Sequence, residues 1–68
     1  MAAPTAYDRV WEIRERARFT LRGRRVVRAM VDLDDLDRMA IREVHDSVPA
    51  LLRSPYLRAL FRLSQEGA

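Results

Sequence analysis

The chain has no cysteine and no lysine, and among its 68 residues there are only 2 glycines, 1 histidine and 1 tryptophan. Without cysteine there can be no disulfide, thiolate metal site or thiol nucleophile, and cysteine usage leaves the redox compartment open. Two glycines are too few for a glycine-rich phosphate loop. No apolar run approaches the roughly 18 residues of a membrane span, and the N-terminus lacks a basic stretch leading into an apolar one. The expectation is a soluble, cytoplasmic chain with no membrane partner. His45, the single histidine, would need an orienting carboxylate and a nucleophile in a pocket to catalyse anything. Its chain neighbours Asp46 and Ser47 do not make a triad by adjacency alone. No enzyme, no catalytic residue and no cofactor are therefore expected.

Hydrophobic residues make up 49% of the chain and charged ones 34%, a balance that favours a packed core over disorder. The length fits a single small domain over residues 1–68, with residues 1–8 as a loose N-terminal arm. A chain this short buries only about 60% of the surface it exposes when unfolded. Small cores of this kind usually need a staple, and a partner chain is the one that remains. A homo-oligomer or a subunit of a larger complex is the resulting expectation.

Basic residues number 13, all arginine, against 10 acidic ones, for a net charge of +3. Arginine supplies bidentate contacts to phosphate and carboxylate that lysine does not. A genome rich in arginine codons explains the bias as well, since Arg58 and Arg62 occupy ordinary solvated helix positions. The order of the charges says more. Between Arg9 and Arg28 eight arginines stand against Glu12 and Glu15, and between Asp32 and Asp46 six acids stand against Arg38 and Arg42. A basic half joined to an acidic segment points to nucleic-acid contact, and serves equally for complementary protein contacts.

From Trp11 to Leu21 the apolar residues alternate, with Trp11, Ile13, Ala17, Phe19 and Leu21 on one side, which is the period of a half-buried strand. Val27, Ala29, Val31 and Leu33 resume the alternation after Gly23. A three-residue loop at 22–24 then sets Phe19 opposite Val27, Ala17 opposite Ala29 and Ile13 opposite Leu33. The competing pattern is a helix from Ala6 to Arg22 with Thr5 as N-cap, which strands Phe19 and puts Arg14 and Arg18 inside an apolar stripe. The hairpin is preferred. Asp34 then caps a helix whose first turn holds Asp35 and Asp37, with Leu36, Met39, Ala40 and Val44 on one face. A short turn follows with Leu51 and Leu52 toward the core. Ser54 and Pro55 start a last helix that turns Tyr56, Leu57, Leu60, Phe61 and Leu63 inward. The fold class expected is α+β, an N-terminal two-stranded antiparallel hairpin over about 11–33 packed by helices at about 34–46, 49–53 and 55–65.

In that register Arg14, Arg16, Arg18 and Arg28 leave the core beside the turn residues Arg22, Arg24 and Arg25. Arg18 would face Arg28, a like-charge pair that an anion relieves, and Arg14 would face Asp32. The candidate anion-binding set is thus Arg16, Arg18, Arg22, Arg24, Arg25 and Arg28. A basic hairpin of this kind can follow a phosphate backbone or enter a groove. No aromatic residue alternates with those arginines, which argues against base stacking. Trp11, Ile13 and Glu15 form a candidate partner interface, since helices of this length would leave that end of the hairpin uncovered. Glu15 is odd there, because alternation points it into the apolar face. Trp11, Phe19, Tyr56 and Phe61 otherwise read as core.

The acids from Asp32 to Asp37 resemble a cation loop with Glu43 as last ligand. Leu36 and Asp37, however, stand where a ligand and a glycine are required. No metal site is expected, and nothing in the sequence matches a motif that assigns it to a family. The expected function is a non-enzymatic basic binding module whose arginine-rich hairpin contacts an anionic partner, foremost a nucleic-acid backbone. The alternative is an assembly or adaptor subunit that meets an acidic protein surface.

Overall fold

A computed structural model describes residues 5–23, 25–27 and 30–66, with Leu21 and Val27 described through their backbone alone. Its element order is α1 (Ala6–Arg16), β1 (Thr20–Arg22), β2 (Arg25–Val27), α2 (Asp35–Ser47), a 3-10 turn (Ala50–Leu52) and α3 (Pro55–Gln65). The protein is predominantly helical, with one short strand pair. The expected α+β arrangement, a hairpin over 11–33 packed by helices, is overturned by α1.

Residues 6–16 are a helix because local terms favour it. Thr5 accepts a hydrogen bond from the Asp8 amide while the Asp8 carboxylate accepts from the Thr5 amide, a reciprocal capping box. Glu12 and Arg16 stand four residues apart with the acid first, the favourable order on a helix. Residues 5–8, expected in a loose arm, are thus the cap and first turn of α1, and residues 1–4 lie outside the described part. Val10 and Ile13 are buried one turn apart, with Ala6 packed beside them. The alternation read from Trp11 to Leu21 grouped Trp11 and Glu15 with Ile13. On a helix both lie across from Ile13, and both are exposed. The helical alternative shares the observed cap, Thr5, but extends to Arg22. The helix stops at Arg16, because Ala17 is already extended (φ −70°, ψ 133°), and Phe19 and Thr20 favour strand.

The strand pair is shorter than expected and its register differs by one. Thr20 pairs with Val27, Leu21 with Val26 and Arg22 with Arg25. Two residues separate Arg22 from Arg25 in the sequence, and the first, Gly23, takes the positive φ of 61° that such tight hairpins demand. The predicted pairings of Phe19 with Val27, Ala17 with Ala29 and Ile13 with Leu33 do not form.

Helix α2 packs against both α1 and α3. Asp34 caps it through a second capping box with Asp37, so the start read from the acids is the one observed. Its buried face is Asp37, Ala40, Ile41 and Val44. Leu36 and Met39, expected inward, are exposed. Leu51 and Leu52 are exposed as well, at 96% and 73%, rather than turned to the core. Ser54 accepts from the Leu57 amide and Pro55 opens α3, which buries Leu57, Ala59, Leu60 and Ser64 and leaves Tyr56, Phe61 and Leu63 half-buried. Ile13, Ile41 and Leu60, one from each helix, are the fully buried centre of the core.

Candidate nucleic-acid interface

The segment after α1 carries the exposed arginines, and packing at its base holds it in place. Phe19 and Tyr56 bring their rings to 5.2 Å at a 58° tilt, an attractive aromatic geometry. Phe19, Val31 and Leu33 also pack against the core. The hairpin lies between these anchors in sequence, and Arg22, Gly23 and Arg25 at its turn are exposed. Arg18, Arg22 and Arg25 are exposed and make no ion pair among the described residues. Arg22 and Arg25 are direct cross-strand partners flanking the turn, so two like charges oppose one another and destabilise the bare hairpin. The predicted repulsive pair, Arg18 with Arg28, is not the one seen: Arg18 precedes β1, while Arg24 and Arg28 lie outside the described residues.

Arg16 has a different setting. Its Nη2 lies 3.9 Å from Asp37 Oδ2, at the edge of a cluster in which Arg9 Nε donates to Asp37 Oδ1 at 2.8 Å. Burial by itself pushes the Asp37 carboxyl up. The hydrogen bonds from Arg9 and the Asp34 amide, with the charges of Arg9 and Arg16, outweigh it and hold the group below its ordinary value. The Arg9 guanidinium is raised in turn, chiefly by its hydrogen bond to Asp37. This cluster ties α1 to the start of α2. Asp37 is buried within it, while the Asp34 side chain stays largely exposed.

The expected partner interface is split. Ile13 is fully buried, while Trp11, 62% exposed, and Glu15 lie on the outer side of α1. Trp11 is therefore not core. Tyr7, also exposed, stands one turn before it, and the Tyr7 hydroxyl meets Ser47 Oγ at 2.9 Å. Ser47 donates its own proton to the Val44 carbonyl, so Tyr7 is the donor. Arg14, expected to face Asp32, instead lays its guanidinium 4.2 Å from the Tyr56 ring centre and 5.9 Å from that of Trp11, within cation–π range. Tyr7, Trp11, Arg14 and Tyr56 line one groove of about 250 Å³ between α1 and α3. Sequence reading missed Tyr7, Arg14 and Tyr56 as a group. The spacing of 7, 11 and 14 is a helical stripe, but a period of two hides it, and Tyr56 arrives only through tertiary packing.

His45 is not on an outer surface. It stacks on Phe61 with ring centres 3.8 Å apart and planes 12° from parallel, and its Nδ1 lies 3.1 Å from Asp46 Oδ1. Arg53 donates to the His45 carbonyl at 2.8 Å, and Arg58 to the Ala50 carbonyl at 3.3 Å. These contacts fasten the turn between α2 and α3. No group of three or more metal-ligating side chains occurs among the described residues, and no helix there is long and apolar enough to cross a membrane. Comparison with protein-family models, curated proteins and solved structures returned no match.

Proposed function

We propose that the protein is a non-enzymatic binding module that engages a nucleic-acid backbone through the arginines of its hairpin and of the segment leading into it. The observation that carries this reading is the Arg22 and Arg25 pair, opposite one another across an exposed turn, with exposed Arg18 four residues before Arg22. A phosphate placed between two such guanidinium groups relieves their repulsion and takes charge-assisted hydrogen bonds from both. Arg24 and Arg28 belong to the proposed set through their sequence positions alone. The helices act as a rigid base, and the proposed setting is the cytoplasm.

The test is fluorescence anisotropy of labelled mixed-sequence DNA and RNA at two salt concentrations. Each neutralised phosphate releases counterions, so affinity should fall steeply with salt. The double variant Arg22→Glu, Arg25→Glu should abolish binding. A second reading, an assembly or adaptor subunit, draws on the exposure of Leu36, Met39, Leu51 and Leu52, apolar side chains that a partner surface would cover. That reading gives no polyanion binding at low salt, with a mass by light scattering above that of one chain.

A further inference from the structure

We infer that the groove between α1 and α3 is a stacking site for an unpaired nucleobase, so that the nucleic acid engaged is single-stranded. This rests on the backbone reading above and narrows it. Phosphate contacts alone do not distinguish a duplex from a single strand; aromatic platforms do, because only an unstacked base offers them its face.

The platform is present and open. Trp11 is 62% exposed and Tyr7 58%, a poor use of the two largest apolar side chains of α1 unless something covers them. They follow one stripe of the helix, and from Tyr7 to Arg14 that stripe runs about 10 Å. The groove's volume of about 250 Å³ falls below the roughly 300–1,000 Å³ of pockets that enclose drug-sized ligands, and suits one planar ring laid against a wall. Its lining sets Tyr7, Trp11 and Tyr56 beside Val10, Val44, Leu57 and Leu60, and the aromatic rings are what the face of a base can stack on. The Arg14 guanidinium lies 4.2 Å from the Tyr56 ring centre and 5.9 Å from that of Trp11, giving a cation for the base edge and the nearby phosphate. Tyr56 also touches Phe19, the residue from which the chain runs into β1. Tyr56 thus contacts both Arg14 in the groove and Phe19 at the root of the hairpin. A strand whose base lies on Trp11 can carry its phosphates past Arg14 and Arg18 to Arg22 and Arg25. Glu15, one turn beyond Trp11, is the carboxylate such a strand must pass.

Trp11 is the only tryptophan, so its emission reports on the groove without a label. The full chain is titrated with a single-stranded DNA or RNA, its duplex, an abasic strand with the same phosphates, and inorganic polyphosphate. Quenching of Trp11 by the single strands, with the abasic strand and Trp11→Ala each costing about tenfold in affinity, is the expected result. Circular dichroism on Trp11→Ala shows that the fold persists. If the abasic strand or the duplex binds as tightly as the single strand, or binding leaves Trp11 emission unchanged, the stacking site is wrong while the backbone reading stands. No binding of any polyanion at low salt overturns both. A concentration-dependent shift of Trp11 emission with a doubled mass assigns the groove to a second copy of the chain, and overturns the stacking site as well.

Discussion

At the residue scale, neighbours along α1 do opposite work. Ile13 is fully buried and Trp11 largely exposed, so Ile13→Ala should cost about 2–5 kcal/mol, and Trp11→Ala no more than about 0.5 kcal/mol, as for other surface substitutions. Chemical denaturation of the two variants checks the contrast, and comparable losses would mean that Trp11 packs. Asp37 is the other decisive residue. Its carboxyl is held below its ordinary value, so the folded state binds its proton less tightly than the unfolded state does. The stabilisation is complete above the unfolded value of about 3.9 and is lost as pH falls through the lower folded value. Asp37→Asn removes a charged partner of Arg9 and should cost about 1.5–3 kcal/mol at neutral pH. Its penalty shrinks in acid, which denaturation midpoints at pH 7 and below pH 4 would show. A penalty that stays constant with pH would contradict the ion-pair account.

At the element scale, the hairpin turn carries both a glycine at positive φ and the proposed function. Gly23 sits at φ 61° with no heavy atom within 4 Å of where a Cβ would be. Gly23→Ala therefore costs only the backbone term, about 1–2 kcal/mol, and should raise amide exchange across Thr20–Val27 while leaving the helices protected. Arg25→Glu separates stability from binding. It turns a like-charge cross-strand pair into an opposite one, a gain of about 0.2–1 kcal/mol, while nucleic-acid affinity falls. A loss of stability would show that the hairpin pairs differently.

Legibility differs among these elements for physical reasons. The starts of α2 and α3 were readable because Asp34, Asp37, Ser54 and Pro55 act within one turn of chain. Residues 11–16 were misread because the sequence there satisfies a period of two and a period of 3.6 at once. The capping box of Thr5 and Asp8 settles it, and a pattern begun at Trp11 leaves that box out. The exposed faces were misread for a related reason. Leu36, Met39, Leu51 and Leu52 are apolar yet exposed, because apolar character alone does not decide burial. The arginines of the turn were legible as charge, while the groove was not, because Tyr56 joins Trp11 and Arg14 only across the tertiary fold.

For the whole molecule, the three helices close on Ile13, Ile41 and Leu60, and the proposed path of the strand runs from the aromatic side of α1 to the hairpin. That path predicts how affinity should respond beyond single contacts. Glu15→Arg, on the exposed side of α1, should tighten single-strand binding and steepen its salt dependence, because one repulsive carboxylate becomes a further phosphate partner. Unchanged affinity would place the strand elsewhere. The most direct measurement is anisotropy of a labelled single strand at several salt concentrations, comparing the native chain with Arg22→Glu, Arg25→Glu. The native chain should bind with an affinity that falls linearly in log–log form, with a slope of about −0.7 per phosphate neutralised, and the variant should not bind. Binding that ignores salt, or that the variant retains, would contradict the assignment of the hairpin arginines to a nucleic-acid backbone.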